Sequence, residues 1–121
     1  MIMTQEEKRL LLKDICGRLP YGVMVENVLN HEVFDLSKYL HCLPVALENF
    51  KPYLRPMSSM TEEEEDEYMI ARQKDIAEAY IHATPQNAID WLNSHHFDYR
   101  GLIEKGLALE APEGMYDETP V

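Results

Sequence analysis

The sequence predicts an α+β fold in a single domain, residues 1–121: an N-terminal helix, a small antiparallel sheet of two to four strands, then two helices and a frayed C-terminal tail. Three observations lead to this prediction. Threonine–glutamate capping boxes precede two stretches of helical periodicity. Valine-rich segments of extended character lie between those helices. A chain of 121 residues is also long enough to bury one modest core.

The first helix is predicted from the segment TQEEKRLLLKDICGRLP. Thr4 and Glu7 have the spacing at which each side chain bonds the backbone amide of the other residue. Gly17 and Pro20 are expected to end the helix. Between the capping box and Pro20, five side chains recur at helical spacing and are expected to face the core: Leu11, Leu12, Ile15, Cys16 and Leu19.

The rest of the first half has strand character. The segment YGVMVENV predicts a strand over residues 23–28, residues 29–31 a turn, and EVFDL a second strand. For residues 40–50 the sequence leaves two alternatives open, a strand after Pro44 or a short helical turn. The segment KPYLRP contains two prolines, and each favours extended geometry in the residue before it. We therefore expect residues 51–56 to form a surface connector or an edge strand.

Two helices are predicted in the second half. The first of these starts at Thr61, which has the capping-box spacing to Glu64, and ends near Ala83. Thr84 and Pro85 predict the start of the other helix, which reaches about residue 94. The segment LIEKGLAL predicts one short turn, and residues 111–121 are expected to be a frayed tail. The side chains expected to face the core are Met69, Gln73, Ile76, Ala77, Tyr80 and Ile81 in the longer helix and Ala88, Trp91 and Leu92 in the shorter one.

Charge is distributed unevenly along the chain. The formal net charge is −11 at pH 7. Residues 1–60 hold seven acids and seven bases, whereas the second half, with an acidic helical part at residues 61–110, holds 15 acids and four bases. This asymmetry argues against direct binding to a nucleic-acid backbone, which requires a basic face.

The sequence features that bear on location indicate the cytoplasm. No apolar stretch exceeds three residues, whereas a bilayer span needs about 20, so no membrane contact is expected. The segment MIMTQEEKRLLLKD lacks the basic-then-apolar order of a signal peptide. Cys16 and Cys42 match no metal-ligand spacing and are expected to be buried free thiols.

Residues 62–67 are six consecutive acids at the start of a predicted helix. The positive end of the helix dipole favours acids there, so a solvated helix start is one interpretation and a surface for a basic protein partner is the other. Residues 53–57 add side chains that are favoured in interfaces, although they could instead clamp the two halves of the chain together. The expected partner-binding residues are Glu62, Glu63, Glu65, Asp66, Tyr53, Arg55 and Met57.

The segment WLNSHHFDYRG places two adjacent histidines beside an aspartate. On a helix, adjacent side chains point about 100° apart, and neither histidine has a partner at the three- or four-residue spacing typical of metal ligands. His95, His96 and Asp98 are therefore only weak metal candidates. The chain also lacks a nucleophile elbow and a glycine-rich phosphate loop, so we expect no catalytic residue and no cofactor.

The favoured interpretation of this segment is structural. A histidine side chain is expected to bond the last carbonyls of the helix. Phe97 and Tyr99 are expected to fold back onto Trp91, and Asp98 to pair with Arg100.

Three blocks of sequence carry a resemblance to a known family. They are RLPYG at residues 18–22, KPYLRPMSSMTEEE at 51–64 and DWLNSHHFDYRGLIEKGLALEAPEGMY at 90–116. Together, over less than half of the chain, they resemble small proteins encoded by phages and mobile elements of gut Bacteroidetes. The resemblance implies a phage or prophage origin and a mixed helix and strand fold, with no established activity or catalytic residue to carry over. Members of that family carry glycine- and aspartate-rich strands between the first two blocks, whereas residues 23–50 here contain no glycine, so the number and pairing of strands stay open.

These observations predict a small, acidic, non-enzymatic interaction protein. Its partner is expected to be a protein with a basic surface, for example a host nucleic-acid-binding or defence protein that it inhibits. Two alternatives from other classes are a metal-dependent enzyme built on the two histidines and Asp98, and a structural or assembly component of a virion. The oligomeric state is left open.

Overall fold

A computed structural model of the chain describes residues 3–38, 49–80 and 86–116. The α+β class predicted from the sequence is confirmed. In chain order the helices and strands are α1 (Gln5–Arg18), β1 (Met24–Asn27), β2 (Val33–Asp35), β3 (Phe50–Pro56), α2 (Glu62–Ala79), α3 (Asn87–Ser94), β4 (Phe97–Asp98) and β5 (Leu109–Glu110). Short 3-10 turns occupy Leu19–Tyr21, Leu36–Lys38 and Met57–Ser59.

Helix α1 begins as predicted. The Thr4 side chain accepts from the Glu7 amide, and the Glu7 carboxylate accepts from the Thr4 amide. The buried side chains of this helix are Leu11, Asp14, Ile15 and Arg18, which follow one helical stripe. Cys16 lies next to that stripe and is exposed, so the expectation of a buried thiol is wrong for this residue. Cys42 lies outside the described residues.

The strands form one mixed sheet with β3 at its centre. β1 pairs antiparallel with β2 on one side and with β3 on the other. β4 and β5 each pair in parallel with β3, at Arg55–Pro56 and Tyr53–Leu54 respectively. The predicted antiparallel pairing therefore holds for β1 to β3, while the parallel pairs were not predicted. A parallel pair needs a long connection, which the segment containing α2 and α3 provides.

The expectation that residues 51–56 form a connector or an edge strand is wrong, because β3 is paired on both sides. The two prolines are compatible with a paired strand because of where they stand in it. The Val28 amide donates to the Asn49 carbonyl, and bonded positions alternate along an antiparallel ladder. Pro52 stands opposite Val25, at a position where the ladder with β1 needs no amide donor. Pro56 ends the strand. The alternatives for residues 40–50 fall almost entirely outside the described residues.

The core combines α1, the sheet and the segment that follows β4. Its buried apolar side chains are Leu11, Ile15, Val23, Val25, Leu36, Phe50, Leu54, Leu102, Leu107 and Ala108. None of these side chains belongs to α2. Helix α2 packs mainly on α3, where the rings of Tyr68 and Trp91 lie 5.6 Å apart between centroids.

The stripe of α2 that was expected to face the core faces solvent instead. Only Ala71 of this helix is buried, whereas Met69, Ile76 and Tyr80 are exposed. The helix docks through Tyr68, Ala71 and Asp75, which lie on the opposite side from that stripe. The predicted capping box of Thr61 and Glu64 is confirmed. Residues 81–85, which include Ile81, Ala83, Thr84 and Pro85, lie outside the described residues.

The beginning of the C-terminal tail is packed rather than frayed. The Tyr116 hydroxyl accepts from the Met24 amide at 2.9 Å and donates to the Tyr53 carbonyl at 2.7 Å. These bonds tie residues 111–116 to β1 and β3, so the tail prediction is wrong for this segment. Residues 117–121 are outside the described part of the chain.

Candidate functional site

The outward face of α2 carries one continuous stripe of side chains. Its members are separated by alternating steps of four and three residues: Glu62, Asp66, Met69, Gln73, Ile76 and Tyr80. Met69 is 49% exposed, Ile76 60% and Tyr80 83%. The neighbouring Ile70 is also more than half exposed. The C-terminal part of α2 therefore presents apolar surface on the side that does not touch α3. We call the face formed by this stripe and the adjoining Glu63, Glu65 and Ile70 the outer face of α2.

The N-terminal part of the same face is acidic. Within the described part of the chain, Glu62, Glu63, Glu65 and Asp66 are exposed and make no ion pair. The four carboxylates lie in the first turns of α2, where the helix dipole favours negative charge. The outer face thus combines unpaired acids at one end with exposed apolar side chains at the other.

The remaining acids of the run are engaged within the molecule. Both Glu64 oxygens accept from Arg55, each at 2.7 Å. These hydrogen bonds lower the pKa of Glu64 to about 2. Glu67 accepts from the Trp91 indole at 3.3 Å and lies 3.7 Å from the His95 ring.

The three predicted interface residues outside α2 have different environments. Arg55 bonds Glu64, donates to the Ser59 carbonyl and lies 4.1 Å above the Phe97 ring, so its guanidinium is occupied within the chain. Tyr53 is half-buried in β3, and burial raises its pKa. Met57 is exposed in the 3-10 turn before α2. Arg55 therefore holds the acidic helix in place, and the exposed candidates are the four acids and Met57.

The histidine segment ends α3 as predicted for the histidine and Phe97, whereas the Tyr99 hydroxyl donates to Asn93 and its ring lies against Arg18 and Arg100. The His95 ring stacks on Trp91 at 4.1 Å, and its Nδ1 lies 2.9 Å from the Trp91 carbonyl oxygen. The Phe97 ring stacks on Trp91 from the next strand. His96, in contrast, is buried and stacks on Tyr116 with 3.6 Å between ring centroids.

Asp98 does not join the histidines or pair with Arg100. Its carboxylate accepts from the amides of Leu102 and Ile103, so it shapes the turn that follows β4. Arg100 bonds Asp14 of α1 instead, which corrects the predicted pair. Across the three described ranges, no group of three or more His, Cys, Asp or Glu side chains is placed to hold a metal ion.

Sequence reasoning missed a buried ion network at the end of α1. Arg18 is fully buried and donates to both oxygens of Asp14, at 2.8 and 3.1 Å. It also donates to the Phe97 carbonyl at 2.6 Å. The only local signal was the four-residue spacing of Asp14 and Arg18, which is typical of a helical ion pair. The network connects α1 to the histidine segment.

Comparison of the chain with protein-family models, with curated proteins and with solved structures finds no match. Within the described ranges, none of the helices has the length and apolar character needed to span a bilayer.

Proposed function

We propose that the protein binds a protein partner that presents a basic, amphipathic helix, and that the outer face of α2 is the binding surface. One observation carries this proposal: unpaired acids and exposed apolar side chains share one face of a single helix. Their alternating spacing of four and three residues is that of a seam between paired helices. Apart from Glu64, held by Arg55, α2 is attached mainly through α3, which leaves this face accessible.

The two ends of the face would act differently in binding. Full burial of a side chain such as Ile76 contributes roughly 1.5–3 kcal/mol, from which the cost of ordering both partners is subtracted. The acids act over a longer distance, because a field of one sign speeds the encounter with an oppositely charged partner. The apolar end then determines how long the complex lasts, and the acidic end determines which helices are captured.

The chemistry of this face favours one class of partner. Proteins that bind nucleic acid commonly do so through a basic helix, and clustered carboxylates can occupy the places of phosphates against such a helix. In this proposal the protein inhibits such a nucleic-acid-binding or defence protein in the cytoplasm of a bacterial host. The sequence resemblance to phage and mobile-element proteins supports this part of the proposal.

The test uses a synthetic helical peptide with leucines at alternating steps of four and three residues and lysines on both sides of the leucine stripe. Binding is measured by fluorescence anisotropy at several salt concentrations. The triple variant Glu62→Gln/Glu63→Gln/Glu65→Gln should weaken binding at least roughly tenfold at low salt, because three surface charges near the peptide are removed. It should also reduce the dependence of affinity on salt.

The matched control is Glu6→Gln/Glu32→Gln/Glu104→Gln, which removes the same charge from three exposed positions outside α2. It should change affinity by less than about threefold, since only long-range attraction is reduced. Equal weakening by the two triple variants would show that net charge alone attracts the peptide, and the proposed surface would then be rejected.

A further inference from the structure

A cavity of about 190 Å³ lies beside His96, and no residue of α2 lines it. The residues that line it include Tyr21, Met24, Asp35, His96, Met115 and Tyr116. For comparison, an engineered cavity of roughly 150 Å³ in another protein holds a benzene molecule. The cavity is open to solvent on one side and has room for a six-membered ring with a short substituent.

His96 is the unusual side chain of this cavity. It is only 7% exposed, yet its Nδ1 atom has no hydrogen-bond partner among the residues that the structure describes. Most buried polar atoms in proteins are bonded, so an unpartnered one calls for an explanation. The ring is also fixed in place. It stacks on Tyr116, and the His96 backbone adopts a left-handed φ of 66° while its carbonyl accepts from the Arg55 amide.

Asp35, which also lines the cavity, uses only one of its two carboxylate oxygens for hydrogen bonds within the described residues. Its Oδ1 accepts three hydrogen bonds, from the Val23 amide and from the amide and hydroxyl of Ser37. Its Oδ2 accepts none from the parts of the chain that the structure describes. Gly22 keeps the approach to this oxygen open: its φ is 84°, and a Cβ atom there would lie 3.5 Å from Oδ2.

We propose that this cavity is a binding site for a small organic cation, an ammonium group on a compact apolar body. The ammonium donates to Asp35 Oδ2, the apolar body lies against Tyr21 and the two methionines, and the His96 ring supplies a further polar contact. The aromatic and thioether walls suit such a ligand, since cations are attracted to aromatic faces and methionine adapts to irregular shapes.

The charges around the cavity are consistent with this ligand. Burial alone would raise the pKa of Asp35, but the hydrogen bonds from Ser37 and Val23 outweigh it, so the pKa is lowered and the group is an anion at neutral pH. Burial, with Arg18 acting in the same direction, lowers the pKa of His96 to about 4, so its ring is neutral at pH 7 and does not repel a cation. Arg18 shares the Asp14 carboxylate with Arg100, and Lys38, which also faces Asp35, is exposed.

The experiment titrates the isotopically labelled protein with benzylamine, benzyl alcohol and benzoate and follows the backbone and histidine-ring NMR signals. Benzylamine should bind with a dissociation constant on the order of 1 mM, as expected for so small a ligand. It should shift the signals of Gly22, Val23 and the His96 ring. Benzyl alcohol, which has the same shape without the charge, should bind at least roughly tenfold more weakly, and benzoate should leave these signals unchanged.

The variant Asp35→Asn should remove the preference for benzylamine over benzyl alcohol, because an amide keeps an acceptor for Val23 and Ser37 but has no charge. His96→Asn should weaken benzylamine at least severalfold, and asparagine tolerates the left-handed backbone. Both variants should retain the remaining signals of the folded protein. Shifts confined to residues 62–67, or equal binding of benzylamine and benzyl alcohol to the wild-type protein, would overturn the proposal. Unchanged benzylamine preference in Asp35→Asn would overturn it as well.

The triple variant Glu62→Gln/Glu63→Gln/Glu65→Gln separates this site from the proposed partner surface. It should bind benzylamine as the wild type does, whatever its effect on the peptide. A parallel loss of benzylamine binding in that variant would show that the cation binds the acidic helix and would contradict the cavity site.

Discussion

The guanidinium of Arg55 joins three parts of the molecule. It donates to both oxygens of Glu64 in α2 and to the Ser59 carbonyl in the preceding turn, and it lies over the ring face of Phe97 in β4. A planar guanidinium suits this combination, because it can bond a carboxylate with two donors while one face stacks on a ring. Glu64 thereby has a structural role that its neighbours in the acidic run do not share.

This pair predicts a pH dependence of stability. Hydrogen bonds from Arg55 lower the pKa of Glu64 from 4.5 to about 2. Because the folded value lies below the unfolded one, the carboxylate stabilises the fold above about pH 4.5 and loses that effect as the pH falls towards 2. Glu64→Gln should lower the free energy of unfolding by about 1–2 kcal/mol at pH 7, after allowance for solvent screening, and the difference from wild type should shrink below pH 4.5.

Urea unfolding at a series of pH values measures this difference. The matched control is Glu63→Gln, an exposed neighbour without an ion pair in the described structure, which should stay within about 0.5 kcal/mol of wild type. If Glu64→Gln had the same free energy of unfolding as the wild type at every pH, the Arg55–Glu64 pair would contribute nothing to stability.

Individual residues could be predicted from the sequence where their partners are close along the chain, and could not be predicted where their partners are distant. The two capping boxes and the histidine bonded to the Trp91 carbonyl were predictable, because each depends on neighbours within four residues. The burial of Arg18 was not, since its third hydrogen bond goes to the Phe97 carbonyl, 79 residues further along the chain. The same holds for Asp35 and His96, which only the folded chain brings to one cavity.

Helix α2 shows what the sequence pattern of a whole helix can and cannot predict. The spacing of Met69, Ile76 and Tyr80 predicted a helix correctly, but spacing cannot say which side of a helix is covered. The covered side carries Tyr68, Ala71 and Asp75, and their mixed polarity gave no apolar stripe to detect. β4 and β5 were missed for a related reason, because two-residue strands are too short to show any alternation.

The attachment of α2 to α3 depends on Asp75. Its carboxylate accepts from the amides of Asn87 and Ala88, and so caps the start of α3 from the neighbouring helix. These bonds outweigh the effect of desolvation and lower the pKa of Asp75. Asp75→Ala should therefore speed amide hydrogen exchange in α2 and in the first turn of α3 severalfold, while β1 and β3 keep their protection.

Hydrogen exchange read by mass spectrometry resolves these segments. Asp75→Asn retains one acceptor oxygen and should lie between the alanine variant and the wild type. Faster exchange spread evenly over the sheet and helices would show that α2 unfolds only with the whole domain, contrary to its position outside the core.

For the whole molecule, the acidic second half divides into groups with different roles. Some carboxylates bond within the fold, such as Glu64, Asp75 and Asp98. Others are exposed on segments other than α2, such as Glu104 and Glu113. The four unpaired acids at the start of α2 differ from both groups because exposed apolar side chains continue the same helix face. The charge count along the sequence indicated that the acids lie in the second half of the chain. The fold is needed to show that four of them lie on the outer face of α2.

The most direct test of this account is the affinity of the lysine-rich helical peptide for a variant of the apolar end of the face, Met69→Ser/Ile76→Ser. The variant should bind at least roughly tenfold more weakly than the wild type, equivalent to about 1.4 kcal/mol. The control Leu29→Ser/Val33→Ser changes two exposed apolar side chains outside α2, in β2 and the turn before it, and should bind as the wild type does. Equal affinity of all three proteins would contradict the outer face of α2 as the binding surface.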